Sequence, residues 1–189
     1  MSTAAVILAA GASTRMGEPK QLLEIGGMTL LERAVVTASE AGCDPVVVVL
    51  GANAAAITAR CALRRAWVVV HAGWAAGMSS SIRAGVELVE GFGEVRGLAL
   101  MTCDMPGVTA AHVTALIGEG EVVRASRYSD RQGVPAYFPR ESFGALRKLE
   151  GEIGARELLR EAESVDLRGG EMDVDTPEDA TRARADAGM

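Results

Sequence analysis

The first residues able to do chemistry are two cations in a glycine-punctuated loop near the amino terminus. Arg15 and Lys20 lie in the segment 8–20, which overlaps the end of the apolar run 4–9. Small residues let backbone amides approach phosphate oxygens, and the two cations supply charge that amides lack. The segment matches neither the Walker loop nor the G-x-G-x-x-G fingerprint. We expect it to bind a nucleoside triphosphate; the alternative is a strand-to-helix turn with solvated cations.

Strands alternate with helical segments along the chain. Short runs rich in Val and Leu predict strands at Val6–Ala9, Val46–Leu50, Trp67–Val70 and Leu98–Thr102. Apolar spacing predicts helices at Leu22–Ala41, Ala54–Arg65, Ser81–Val89, Ser142–Leu149, Ala155–Ala162 and Pro177–Ala187. The runs Val122–Arg127 and Val134–Phe138 predict a small hairpin excursion. The alternation predicts an α/β fold with a doubly wound, mostly parallel sheet in a single domain spanning residues 1–189.

Asp104 is the first candidate metal ligand. It follows the predicted strand Leu98–Thr102, and ligands of such a sheet bind beyond the carboxyl ends of the strands, where the segment 8–20 also lies. Mg²⁺ prefers oxygen ligands and takes only one or two protein carboxylates. The alternative role, capping the next helix, is already filled by Thr109 and Pro106. We therefore expect Asp104 to hold Mg²⁺ beside the cationic loop.

A second acidic cluster lies near the carboxyl terminus. Asp173 and Asp175 are separated by one residue, so in an extended chain at most one of them faces a given ion. Thr176, Pro177 and Asp179 form a helix-start pattern with Thr176 as the N-cap. The pattern leaves Asp173 and Asp175 both open as the second metal ligand.

A glycine and three consecutive serines precede another predicted helix. Gly77 permits close approach or unusual dihedrals, and the hydroxyls of residues 79–81 offer a helix cap and spare donors. One interpretation is a cap with solvated neighbours; the other is contact of Gly77 and Ser81 with a nucleotide. Trp74 stacks on a base or is a buried aromatic at a strand end.

Composition restricts the class of protein. The chain has 25 carboxylates against 19 Lys and Arg, which disfavours a nucleic-acid-coating role because such binding needs clustered cations. Cys43, Cys61 and Cys103 have no C-x-x-C spacing, so we expect buried, reduced thiols in a cytoplasmic protein. The amino terminus has no cationic segment before its apolar run, and no aliphatic stretch is long enough to span a bilayer. We expect neither nucleic acid nor a membrane as a partner.

The string LAAGASTRMGEPKQLL resembles the opening signature of the MobA-like superfamily of nucleotidyltransferases, which read LAAGxSxRMGxxK. Its ending, Pro19–Leu23, more specifically resembles the molybdenum cofactor cytidylyltransferases (MocA-like). The stretch Trp-Ala-x-Gly-Met-Ser-Ser-Ser resembles the loop that surrounds the base in those enzymes. The Asp-Thr-Pro-Glu-Asp context resembles a terminal metal-binding stretch, which favours Asp175 and leaves Asp173 as the second choice.

This resemblance implies a Rossmann-like nucleotidyltransferase that joins CMP from CTP to the phosphate of molybdenum-bound molybdopterin and releases pyrophosphate. It implies catalytic roles for Lys20, Arg15 and Asp104, and Mg²⁺ held by Asp104 and Asp175. The implied nucleotide contacts are Leu8, Ala9, Ala10, Gly11, Arg15, Lys20, Gly77, Ser81 and Asp104. A molybdenum hydroxylase is an implied recipient of the product.

The resemblance is looser on the acceptor side. Segments near Phe138 and Arg156 resemble the family blocks Gly-x-Pro-x-x-Phe and Gly-Asp-x-Gly-Ala-Arg, but Val134 replaces a common histidine and Glu152 the usual aspartate. Arg156 either clamps an acceptor phosphate or is solvated. Ala10 is more typical of CTP users than of GTP users, yet a guanylyltransferase, a non-catalytic delivery protein and a reductase that reuses the fold remain alternatives.

Overall fold

The computed structural model describes residues 1–128, 131–169 and 172–187. Its strands are β1 (Ser2–Ala9), β2 (Glu24–Ile25), β3 (Met28–Thr29), β4 (Cys43–Leu50), β5 (Trp67–Val70), β6 (Val95–Thr102), β7 (Arg124–Tyr128), β8 (Arg131–Pro139) and β9 (Glu163–Asp166). Its helices are α1 (Leu30–Glu40), α2 (Ala54–Arg60), α3 (Met78–Glu90), α4 (Ala110–Ile117), α5 (Phe143–Leu146) and α6 (Pro177–Ala187).

Seven strands form one mostly parallel sheet in the order β5-β4-β1-β6-β8-β7-β9. The first four of these are parallel neighbours, β8 is antiparallel to β6 and β7, and β9 returns parallel to β7. The predicted doubly wound α/β fold is confirmed, and the predicted hairpin is the pair β7 and β8, which extends the main sheet. The carboxyl ends of β1 and β6 lie side by side, because Leu8 pairs with Thr102.

Alternating side chains of the central strand build a core on each face of the sheet. Ala5 and Ile7 of β1 pack with α1, α2 and α4, whereas Ala4 and Val6 pack with α3 and α5. A third, smaller cluster joins the amino-terminal loop to the last helix: its members are Met16, Leu23, Ile25, Leu30, Val174, Ala180 and Ala183. Burial of this cluster fixes the carboxyl-terminal segment against the loop that follows β1.

The prediction of one helix over Leu22–Ala41 is wrong in its first part. A hairpin of β2 and β3 occupies residues 24–29, and Gly26 and Gly27 adopt positive φ values of 61° and 82° in its turn. The helix begins at Leu30, where Thr29 and Glu32 form a reciprocal capping box. The glycine pair, which tolerates left-handed backbone, therefore overrides the helical apolar spacing.

Two predicted helices near the carboxyl terminus are shorter than expected. Instead of Ser142–Leu149, only Phe143–Leu146 is α-helical, after a 3₁₀ turn. Instead of Ala155–Ala162 there is a 3₁₀ turn at Arg156–Leu159, followed by the unpredicted strand β9. Strand β9 pairs in parallel with β7 at the sheet edge, and ion pairs join Arg124 to Glu163 and Arg127 to Asp166 across the two strands.

The other helix bounds differ at their ends. The predicted helix Ala54–Arg65 ends at Arg60, and the predicted helix Ser81–Val89 begins three residues earlier, at Met78. Helix Pro177–Ala187 is confirmed. Within the described ranges, no helix combines the length and apolar character that a membrane span requires.

Candidate active site

The loop between β1 and residue 20 is held from inside by one buried amide. Gln21 is 1 % exposed, and its Nε2 donates to the carbonyls of Ala9 at 2.8 Å and Gly11 at 3.0 Å. Because both carbonyls are engaged inward, they cannot repel an anion at the mouth of the loop. The sequence interpretation missed Gln21 as a structural residue, although it lies in the Pro-Lys-Gln ending that carried the resemblance.

Ser13 closes the loop from its other side. It adopts a positive φ of 55°, accepts a hydrogen bond from the Lys20 backbone at 3.1 Å and donates to Gln21 at 3.3 Å. Its carbonyl accepts from the Met16 amide at 3.0 Å. Of the predicted nucleotide contacts at residues 8–11, Leu8, Ala9 and Ala10 are buried and Gly11 is exposed. The backbone around Gly11 is thus open to a ligand.

Lys20 joins two carboxylates that come from distant parts of the chain. Its Nζ lies 2.6 Å from Asp104 Oδ2 and 2.6 Å from Asp175 Oδ1. Arg15 Nη2 lies 2.7 Å from the other oxygen of Asp175. The Lys20 and Asp104 side chains are only 16 % and 18 % exposed, whereas Arg15 is 69 % exposed. The structure therefore brings these four predicted residues together at the carboxyl edge of the sheet.

The pKa shifts follow from this arrangement. Burial favours the neutral form of Lys20, but the charge and hydrogen bond of Asp104, with those of Asp175, outweigh burial and hold the pKa of Lys20 above its ordinary value. Burial also acts against the charged form of Asp175, yet Lys20 and Arg15 lower its pKa. No cation of the described ranges forms an ion pair with Asp173: burial, and then repulsion from Asp104 and Asp175, raise its pKa to about 6. The cluster holds surplus negative charge that suits a cation.

The carboxyl-terminal aspartates are positioned by neighbours in the sequence. Val174 is fully buried, and its amide donates to the Asp104 carbonyl at 2.9 Å. Thr176 and Asp179 form the predicted capping box, with Asp179 accepting from the Thr176 amide at 3.0 Å. Asp175, between these two anchors, is the residue that reaches Lys20.

The donor set fits a hard divalent cation. Asp104 and Asp175 each present an oxygen to the same Lys20 nitrogen, so the two carboxylates already face one small volume. Mg²⁺ or Mn²⁺ takes one or two carboxylates and completes its shell with phosphates and water. Among the described residues, no group of three or more His, Cys, Asp or Glu side chains forms a closed metal cage. A metal held by Asp104 and Asp175 alone would need further ligands, such as phosphate or water.

The segment with three serines differs from the expected cap. Ser79, Ser80 and Ser81 lie inside the first turn of α3 and are buried, while Gly77 is the N-cap and no side chain caps the helix. A Cβ on Gly77, whose φ is 100°, would come within 2.6 Å of the Gly151 carbonyl. Gly77 thus already serves a close packing contact inside the protein.

Trp74 places this segment beside the loop after β1. A Cβ on Gly51 would lie 2.5 Å from the Trp74 ring and 2.7 Å from the Ala10 carbonyl, so Trp74 and Ala10 flank the same glycine. The Ala52 amide donates to the Ala10 carbonyl at 3.0 Å. The segments after β1, β4 and β5 therefore meet along one edge of the sheet.

The three cysteine thiols and His112 are packed in the interior of the protein. Cys43, Cys61 and Cys103 are free and buried, and burial raises the pKa of Cys103 to about 12. His112 is buried against Ser126 at 2.8 Å. Because Ser126 donates to the Pro135 carbonyl, His112 Nε2 acts as the donor to Ser126.

Residues 5–166 match the profile of the MobA-like NTP transferase domain. The chain belongs to this family. Nicotine blue oxidoreductase of Paenarthrobacter nicotinovorans is 36% identical to this MobA-like chain over 167 residues, 82% of this chain and 80% of that protein. The purine catabolism protein PucB of Bacillus subtilis is 29% identical over 95% of this chain and 94% of its own length.

Solved structures share the fold. The crystal structure of Rv0371c from Mycobacterium tuberculosis superposes on this MobA-like domain with a TM-score of 0.82 at 32% identity, covering 98% of this chain and 99% of that one. A further structure of that protein, complexed with manganese, gives a TM-score of 0.81. A nucleotidyl transferase from Methanothermobacter, at 22% identity and a TM-score of 0.84, shares the fold.

Proposed function

We propose that this MobA-like protein transfers CMP from CTP to the phosphate of a molybdenum-bound molybdopterin, with Mg²⁺ as its metal. The observation that carries the proposal is the contact of Lys20 with both Asp104 and Asp175 beside the loop after β1. A fixed cation between two carboxylates, next to a glycine loop that is open to solvent, is an arrangement suited to binding a triphosphate with its magnesium ion. The choice of cytidine as the base and of the pterin as the acceptor rests on the residues that resemble those of cytidylyltransferases.

Each residue of the cluster takes a role that its position allows. Arg15, whose side chain is 69 % exposed, neutralises the outer phosphates, while Lys20 neutralises charge close to the carboxylates. Asp104 and Asp175 would hold Mg²⁺, which supplies charge neutralisation between nucleotide and acceptor when bound. Gly11 offers its amide to the phosphates, and the start of α3, where Gly77 and Ser81 are buried, borders the side where the base would lie.

The transfer itself needs alignment more than acid–base chemistry. An oxygen of the acceptor phosphate forms a bond to the α-phosphorus of CTP, and the bond from that phosphorus to the bridging oxygen breaks, releasing pyrophosphate. The acceptor oxygen is already anionic, so no general base is required. Arg156, exposed at the start of its 3₁₀ turn, clamps the acceptor phosphate through its two-pronged guanidinium.

A test is identification of the product by mass. Purified protein would be incubated with isotope-labelled CTP, Mg²⁺ and molybdenum-bound molybdopterin, and the small molecules separated. We expect a cytosine dinucleotide of the pterin that carries the label. The proposal fails if labelled CTP is recovered unchanged or if the label appears only in hydrolysed CMP.

The 36% identity with a protein named as an oxidoreductase supports a second candidate, a reductase that reuses the fold. The sequence carries no G-x-G-x-x-G fingerprint for a nicotinamide dinucleotide. Oxidation of NADPH or NADH in the presence of nicotine blue, followed by the absorbance of the reduced nicotinamide, separates the two candidates. We expect no oxidation above the rate without protein.

A further inference from the structure

Three consecutive backbone carbonyls fasten a loop of the second half of the chain to the start of α3. The Arg83 guanidinium donates to the carbonyl of Leu149. The Ser79 hydroxyl donates to the Glu150 carbonyl at 3.0 Å, and the Ser79 amide donates to the Gly151 carbonyl at 3.2 Å. One serine and one arginine of α3 therefore engage the whole run 149–151.

Two glycines let the loop and the helix approach closely. A Cβ on Gly77 would lie 2.6 Å from the Gly151 carbonyl, and a Cβ on Gly154 would lie 2.8 Å from the Met78 sulfur. Gly77 and Gly154 both adopt positive φ values, 100° and 63°, so an L side chain is disfavoured at each. The close contact between α3 and residues 149–154 thus depends on a glycine on each side.

The loop has little apolar burial of its own to hold it. Residues 150–153 are exposed, and the Ile153 side chain is 58 % exposed. Beyond the loop, Ala155 and Leu159 are buried in the same core as Ile82 of α3. Arg156 is flanked by these two core residues, and the hydrogen-bonded run 149–151 directs the chain into this turn.

We propose that Ser79 and Arg83 are positioning residues, which seat residues 149–151 on α3 and thereby fix Arg156 where it meets a phosphate monoester acceptor. This inference rests on the proposed function, because Arg156 is the acceptor clamp there. Ser79 belongs to the stretch that resembles a base-contacting loop, yet its hydroxyl and its amide are both engaged by the protein. Helix α3, which borders the proposed nucleotide site, thus orients the residue that clamps the acceptor. Neither Ser79 nor Arg83 needs to touch a substrate.

The test compares Arg83→Met, which keeps the aliphatic stem, with Arg83→Lys, which keeps a charged donor. Arg60→Met, an exposed arginine at the end of α2, is the matched control. Steady-state kinetics with CTP and acceptor varied in turn give the two KM values. A glutamate-specific protease reports the loop directly, because Glu150 and Glu152 are exposed within it.

We expect Arg83→Met to raise the acceptor KM roughly tenfold or more while the CTP KM stays within twofold, with partial recovery in Arg83→Lys. Cleavage at Glu150 or Glu152 should be several-fold faster in Arg83→Met than in the wild type or Arg60→Met. Ser79→Ala should shift the same two quantities in the same direction.

Equal increases in both KM values, or none, would overturn the proposal, and so would unchanged cleavage of the loop. The protease measurement needs no substrate. If the wild type transfers no CMP, the proposed function and the acceptor role of Arg156 fail, while the cleavage rates still decide whether Arg83 seats the loop.

Discussion

The ammonium of Lys20 lies 2.6 Å from a carboxylate oxygen of Asp104, and less than a fifth of either side chain is exposed. This pair connects the loop after β1 to the loop after β6. The electrostatic attraction between a cation and a carboxylate at this distance is stronger in a partly desolvated setting than in water. In the proposed function, triphosphate and metal would redistribute charge that the protein has already assembled.

Removal of either partner should abolish most of the transfer. We expect Lys20→Ala and Asp104→Ala each to lower kcat roughly 100-fold or more, because each removes charge that faces the reacting phosphates. Circular dichroism should show the wild-type fold. Lys148→Ala, at an exposed lysine far along the chain, is the control and should retain full activity. Near-normal turnover of purified Lys20→Ala would contradict the role assigned to that residue.

The two carboxyl-terminal aspartates should behave differently. Asp175→Asn removes an oxygen that faces Lys20, and we expect it to weaken Mg²⁺ or Mn²⁺ dependence markedly, as measured by activity against metal concentration. Asp173→Asn removes a carboxylate that receives no ion pair among the described residues, and we expect a much smaller change. The opposite order of effects would make Asp173 the metal ligand.

Gln21 should be important for stability as well as for nucleotide binding. Gln21→Leu leaves the carbonyls of Ala9 and Gly11 without their donor, which costs about 1–3 kcal/mol of unfolding free energy. Gln21→Glu keeps the shape but lacks the amide donor, so it should lose as much. Urea denaturation measures the loss; wild-type stability of Gln21→Glu would show that the amide donor is unimportant.

Gly77 should tolerate no side chain. Gly77→Ala places a Cβ against the Gly151 backbone at a positive φ, and we expect it to destabilise the protein by about 2 kcal/mol or more. Gly144→Ala, in α5 with nothing near its Cβ, is the matched substitution and should be neutral. Thermal unfolding of both variants gives the comparison. Equal Tm values for the two variants would show that the backbone at residue 151 can shift to accommodate a Cβ at little cost in stability.

Stability should fall as pH drops below the ordinary pKa of histidine. Burial lowers the pKa of His112, so the folded protein binds fewer protons there than the unfolded chain. The stability that this difference contributes is present above pH about 6.5 and is lost as pH falls through the lowered pKa. Urea denaturation of the wild type and of His112→Asn between pH 8 and 5 should show a flatter pH dependence for the variant. A steeper one would contradict the assignment.

The sequence predicts the parts of the site that depend on local patterns. The apolar run ending at Ala9, with Gly11 and Lys20 after it, has the composition of a strand and a phosphate loop. Asp104 follows from its place at the end of a second strand. These positions depend on one general rule of parallel sheets, so the convergence of Lys20 and Asp104 could be expected.

Other features depend on contacts that no local pattern encodes. The residues of β9 are mostly polar, and they form a strand by pairing in parallel with β7, a contact between segments distant in the sequence. The roles of Ser79 and Arg83 depend on backbone carbonyls, which every residue possesses and which therefore leave no mark in a sequence. The sequence distinguishes Asp175 from Asp173 only through the resemblance, because the contact of Asp175 with Lys20 joins residues that are distant in the sequence.

The most direct test of the account is acceptor-dependent release of pyrophosphate from CTP, GTP, ATP and UTP, each with Mg²⁺ and molybdenum-bound molybdopterin. The account predicts release that requires acceptor, is fastest with CTP and disappears in Asp104→Ala. Preference for GTP would make the protein a guanylyltransferase, and absence of release with all four nucleotides would contradict nucleotidyl transfer altogether.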